Sequence, residues 1–121
     1  MKNLLITSLL LLFGALAYAQ QGLKYSQTLT FTGTVDQGVS YTVPQNKTWK
    51  IESGHVSSLN SIGTASLKIN DIEAGKWAGT TNSSILEPNY PIWIKAGDVI
   101  TIISGNLNMT YFISIIEFDI L

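Results

Sequence analysis

The sequence predicts one all-β domain, a jelly-roll-like β-sandwich of about 7–9 strands, following a cleaved N-terminal signal peptide. Three observations carry the prediction. Beyond the N-terminal leader, no window repeats apolar residues at the three-and-four spacing of a helix. β-Branched and aromatic residues instead alternate with polar ones at period two. Turn residues recur about every eight to twelve positions, the cadence of short strands joined by tight connections.

Residues 1–19 stand apart from this pattern. Lys2 supplies a positive start, an apolar run follows from Leu4 to about Leu16, and Ala17-Tyr18-Ala19 offers the small–x–small site of a signal peptidase. The run holds about 13 residues, too short to cross roughly 30 Å of hydrocarbon at about 1.5 Å per residue. The expected mature chain starts near Gln20 and its domain spans residues 20–121, secreted or held at the cell surface. No cysteine follows the cleavage site, so a lipid anchor is not expected, and no later segment approaches membrane-spanning length.

From Leu23 to Val35 the odd positions read mainly apolar, while Thr28, Thr30, Thr32 and Thr34 line the even ones. This is a half-buried strand with a hydroxyl-rich outer face. Asp36-Gln37-Gly38 turns the chain, and Val39, Tyr41 and Val43 resume the alternation until Pro44, which has no N–H to donate. After Gln45-Asn46-Lys47, a strand from Thr48 to Ser53 sets Trp49 and Ile51 on one face and Lys50 and Glu52 on the other. Gly54 is expected to break it, with a short continuation over His55–Leu59 and a loop over Asn60–Thr64. Ala65–Ile72 reads as the next strand, with Leu67 and Ile69 inward and Asn70-Asp71 as a bulge or turn.

Glu73–Ser84, rich in Gly, Thr, Asn and Ser, reads as a long surface loop, followed by a brief pairing at Ile85 and Leu86. Pro91–Ile94, the turn Lys95–Asp98 and Val99–Ile103 form a strand, tight turn and strand, in which Gly97 suits a positive φ. Trp93, flanked by isoleucines, is expected in the core beside Trp49. Gly105–Asn108 turns into a terminal strand, Met109–Leu121, that is apolar on both parities. Tyr111, Ile113 and Ile115 lie on one and Phe112, Ile116, Phe118 and Ile120 on the other, so both faces need cover. A second subunit is one source of that cover.

Composition removes several function classes. The chain has 0 cysteines, no arginine and one histidine, His55, so thiol chemistry, a metal cluster and a Ser-His-Asp triad lack their parts. Its lysines are scattered and its formal net charge is −1, which leaves no basic stripe for nucleic acid. Low charge on an apolar-rich chain favours self-association.

Tyr41-Thr42-Val43-Pro44-Gln45-Asn46-Lys47-Thr48-Trp49-Lys50-Ile51 resembles the opening of small jelly-roll modules in secreted Bacteroidota proteins and phage tail fibres. Pro91-Ile92-Trp93-Ile94-Lys95-Ala96-Gly97-Asp98-Val99-Ile100 resembles their hairpin, and Ile115–Ile120 their last strand. Asn46 stands where those modules usually carry Gly. The shared residues are turn formers and core aromatics, so the resemblance implies a fold and a habitat and brings no catalytic residue.

Two functions of different class follow. The first is a non-catalytic extracellular module, structural, self-assembling or adhesive, working as a homo-oligomer or filament subunit without cofactor or metal. The alternative is a carbohydrate-binding module, in which Trp77, Tyr90 and Asn82 at a loop end stack on and hydrogen-bond a surface glycan. Asp71, Glu73 and Asp98 carry oxygens of the kind Ca²⁺ takes, but read more simply as solvated turn acids.

Overall fold

The computed structural model describes residues 22–35, 38–58, 62–80, 83–104 and 109–121. The expected signal peptide and Asn82 lie outside them. Among the described residues nine strands follow one another: β1 (Leu23–Val35), β2 (Val39–Thr42), β3 (Lys47–Ser57), β4 (Gly63–Ile69), β5 (Ile72–Thr80), β6 (Ser83–Leu86), β7 (Ile92–Ile94), β8 (Val99–Ser104) and β9 (Met109–Ile120). They form two antiparallel sheets, in the order β1-β9-β3-β7 (sheet A) and β2-β8-β4-β5-β6 (sheet B). The chain passes repeatedly from one sheet to the other, so neighbours within a sheet are mostly distant in sequence. This is the expected jelly-roll sandwich.

Period-two alternation sets which side chains meet between the sheets. Sheet A contributes Trp49, Ile51, Val56, Ile94, Tyr111, Ile113 and Ile115, and sheet B contributes Ala65, Leu67, Trp77, Ile100 and Ile102, all buried. Along β1 the threonines Thr28, Thr30, Thr32 and Thr34 face solvent, as the alternation requires. Phe31 lies flat on Tyr41, with ring centroids 4.1 Å apart and planes within 4°, and the Tyr41 and Tyr111 hydroxyls share a hydrogen bond. Burial, and then that hydrogen bond, push the Tyr41 hydroxyl up to about 12.

The turns use the residues their geometry demands. Asn46 adopts φ 62° and Gly97 φ 83°, while Asn70 and Asp71 take φ 50° and 67° in the two-residue β4–β5 hairpin. Asn70 also spans to the next hairpin: its amide donates to Asp98 Oδ1 and its carbonyl accepts from Val99 N, both at 2.9 Å.

Two expectations are corrected here. Gly54 does not break its strand, because β3 runs unbroken through it. Its missing side chain makes room: an added Cβ would lie 3.1 Å from both Trp77 Nε1 and the Tyr90 hydroxyl. The stretch Glu73–Ser84 is not one long loop but most of β5, leading to β6. Its glycines answer to crowding, since a Cβ on Gly75 would lie 2.6 Å from Pro88, and one on Gly79 2.9 Å from the Val56 and Ser83 carbonyl oxygens.

Candidate functional site

Among the described residues, the exposed aromatic residues Tyr25, Trp93 and Phe112 all lie on the outer face of sheet A, while Ile72, Ile85 and Leu86 of sheet B are also exposed. Cross-strand pairing places Leu23 beside Ile120, and Tyr25 beside Phe118. The next row runs across all four strands as Thr28, Ile116, Lys50 and Trp93. Trp93 is 51% exposed and Tyr25 58% exposed. The Trp93 and Phe118 rings lie 5.5 Å apart, with planes inclined by 31°. Lys50 Nζ sits 5.4 Å from the centre of the Trp93 ring and pairs with Glu52 at 2.7 Å. The result is an aromatic and aliphatic patch at one end of the sheet, edged by hydroxyls and one ion pair. Phe112, 44% exposed, belongs to a separate row with Thr32 and His55, roughly 14 Å along β9 from Ile116.

Trp93 thus lies outside the core in which it was expected. In Ile-Trp-Ile one parity must face inward, and Ile94 takes that place against the sandwich. The second apolar parity of β9 is likewise only part-covered by its own chain.

A polar clamp holds this end of the sheet together from its inner side. Glu117 is 4% exposed and accepts hydrogen bonds from Trp49 Nε1 at 2.8 Å, Gln27 Nε2 at 3.0 Å and Ser26 Oγ at 3.5 Å. Lys47 Nζ stands 3.7 Å from it and pairs more closely with Asp119. A β-bulge between Tyr25 and Gln27 inserts Ser26, which lets both Ser26 and Gln27 reach the carboxylate while Tyr25 keeps its place beside Phe118. Burial pushes the Glu117 carboxyl up, but the Trp49 and Gln27 donors, the Lys47 charge and Ser26 together hold it below the usual range. Sequence reading passed over Glu117. Its signal was available: it shares the parity of Ile113 and Ile115, so it is an acid at an inward position.

The residues expected to bind sugar stand elsewhere. Trp77 lies in β5 rather than in a loop, is 1% exposed, and donates from Nε1 to the Tyr90 hydroxyl. Tyr90 in turn donates to the Gly54 carbonyl at 3.4 Å, and burial pushes its hydroxyl up to about 12. The two residues do meet, but as a core ring and its hydrogen-bond partner, and the Trp77 ring offers no face to solvent. Glu73 is engaged by Ser66 and Lys76, and Asp98 by Asn70. Among the described residues no three His, Cys, Asp or Glu side chains are grouped to hold a metal. His55 Nε2 lies 3.1 Å from the Thr80 carbonyl, a contact joining the two sheets.

No protein-family model matches this chain, and no curated protein does. Solved structures do resemble it. The core of Drosophila NLP, a structure that bears on pentamer formation and histone binding, aligns with a TM-score of 0.52 at 10% identity, covering 76% of this chain and 98% of that one. A CBM36 carbohydrate-binding module, solved with calcium and xylotriose, aligns with a TM-score of 0.39 at 12% identity over 83% of this chain and 94% of that one. A CBM36-1 domain of a multidomain xylanase from the hindgut metagenome of Trinervitermes trinervoides gives a TM-score of 0.34 at 12% identity, over 83% and 90% of the two chains. At such identities the likeness lies in the β-sandwich fold.

Proposed function

We propose that this chain is a non-catalytic module of the structural or adhesive kind, exported by its leader, which works by surface contact through the outer face of sheet A. The single observation that supports this most is the second apolar parity of β9, left open to solvent together with Tyr25 and Trp93. Soluble monomers seldom leave contiguous apolar area of this kind without a partner. Aromatic residues with few charges at the centre are also the composition of contact surfaces. The absence of enzyme activity is part of the proposal, resting on the sequence's lack of arginine, cysteine and a second histidine.

An environment-sensitive apolar dye tests the reading. The purified domain binds it, and Tyr25→Thr with Trp93→Thr removes most of the signal without lowering the melting temperature. Unchanged dye binding in that variant, or turnover on a panel of glycan and peptide substrates, refutes the proposal. N-terminal sequencing of exported protein tests the location, with Gln20 as the expected first residue.

A second reading, carbohydrate binding, transfers from Trp77 to this face. Exposed Tyr25 and Trp93 rings beside Phe118, edged by Thr28, Thr48 and Lys50, favour it. A glycan array with Trp93-dependent signal supports it.

A further inference from the structure

We infer that the occupant of this face is a second copy of the same chain, docked face to face about a two-fold axis. The inference rests on the surface-contact reading above and names its partner. Four side chains of the patch, Leu23, Tyr25, Trp93 and Ile120, are each between 44% and 58% exposed. Together they leave roughly 400 Å² of side-chain surface in solvent, and half-buried Ile116 and Phe118 raise this to about 500 Å². A specific interface of standard size covers about 800 Å² per partner, and at the roughly 65% apolar share of homodimers it requires about the same apolar area. The patch therefore has the size a stable dimer needs.

Its composition favours protein over sugar. Three of its six side chains are Leu23, Ile116 and Ile120, branched aliphatic groups that offer no flat ring to a pyranose but fill the gaps of a facing copy. The charges are self-complementary. Lys50 lies in the patch between Ile116 and Trp93 and pairs with Glu52 on the same strand, one positive and one negative. A two-fold axis lying in the interface and passing between the two side chains sets each Lys50 against the partner's Glu52. A formal net charge of −1 adds little repulsion between copies.

Sedimentation equilibrium of the exported protein across the micromolar range tests the inference. The wild type shows the mass of a dimer dissociating on dilution. Trp93→Thr weakens it by about thirty-fold or more, the scale of one aromatic anchor. Two charge variants test the charge complementarity of the seam. Lys50→Glu and Glu52→Lys are each monomeric alone, because every cross-axis contact becomes repulsive. Mixed together they form heterodimers, since each contact then joins opposite charges. Recovery on mixing cannot come from repairing the pair within one chain. A wild type that stays monomeric, a dimer indifferent to Trp93→Thr, or no recovery on mixing overturns the two-fold docking. If the wild type is monomeric but still binds the apolar dye through Tyr25 and Trp93, only the occupant is wrong, and a Trp93-dependent glycan-array signal then identifies sugar. If dye binding is also lost, the surface-contact reading falls as well.

Discussion

Replacing Glu117 with alanine removes the acceptor at the centre of the clamp that positions β1 beside β9 and β3. Three donors lose their partner: Trp49 Nε1 at 2.8 Å, Gln27 Nε2 at 3.0 Å and Ser26 Oγ at 3.5 Å. Trp49 is 3% exposed, so its N–H is stranded away from water, which costs about 1–3 kcal/mol. The bond from Gln27 is charge-assisted and adds about 1.5 kcal/mol or more, whereas Ser26, at its longer distance, adds little. Lys47 keeps Asp119 as a partner and is part-exposed, so the full penalty of an orphaned buried charge does not apply. The expected loss is about 3 kcal/mol of unfolding free energy, or roughly 15 °C in melting temperature for a domain of this size. Glu117→Gln keeps one carbonyl acceptor for Trp49 and is expected to lose about half as much. Urea unfolding followed by tryptophan fluorescence measures both. A Glu117→Ala variant within about 0.5 kcal/mol of wild type, the scatter of ordinary surface changes, would refute the clamp.

The same carboxylate makes stability depend on acid. Its folded pKa lies below the ordinary value, so its contribution is complete above the usual glutamate range, near pH 4.3, and is lost as pH falls through the folded value. Glu117→Gln flattens that acid limb in pH-dependent unfolding. At the other extreme, Tyr41 and Tyr90 are pushed up to about 12, so stability declines as pH rises past about 10, where tyrosines of the unfolded chain ionise. Tyr90→Phe strands Trp77 Nε1 in the core and costs about 1–3 kcal/mol by urea unfolding. Gly79→Ala drives a Cβ to 2.9 Å from two backbone oxygens that cannot swing away, and costs about 1–3 kcal/mol by the same assay.

Strand existence was largely legible in the sequence, because period-two alternation leaves a direct trace. β1 begins and ends where its alternation does, at Leu23 and Val35. Where glycines interrupt the alternation the trace misleads. Gly54, Gly75 and Gly79 read locally as breakers, yet each is required by a neighbour distant in sequence, the Tyr90 hydroxyl, Pro88 and the Val56 carbonyl. Such contacts are long-range, and local composition does not encode them. Trp77 was assigned to a loop for the same reason. Parity was the second blind spot. Ile92-Trp93-Ile94 alternates equally well with either face inward, and only pairing with Lys50, already expected to point away from Trp49 and Ile51, fixes Trp93 outside. The double parity of β9 did announce an uncovered face, and that face is the candidate site. The clamp was the least legible part, since Ser26, Gln27, Lys47, Trp49 and Glu117 come from three strands and meet only through a bulge.

Quenching of Trp93 fluorescence as a function of protein concentration reports whether a second copy covers the outer face of sheet A. The Trp93 component is isolated as the difference between wild type and Trp93→Phe, which leaves buried Trp49 and Trp77 in place. The expected result is a red-shifted component that a neutral quencher reaches freely in dilute protein and loses access to as the concentration rises. Protection at every dilution would mean that Trp93 is covered by its own chain, and free access at every concentration would mean that the face meets no second copy.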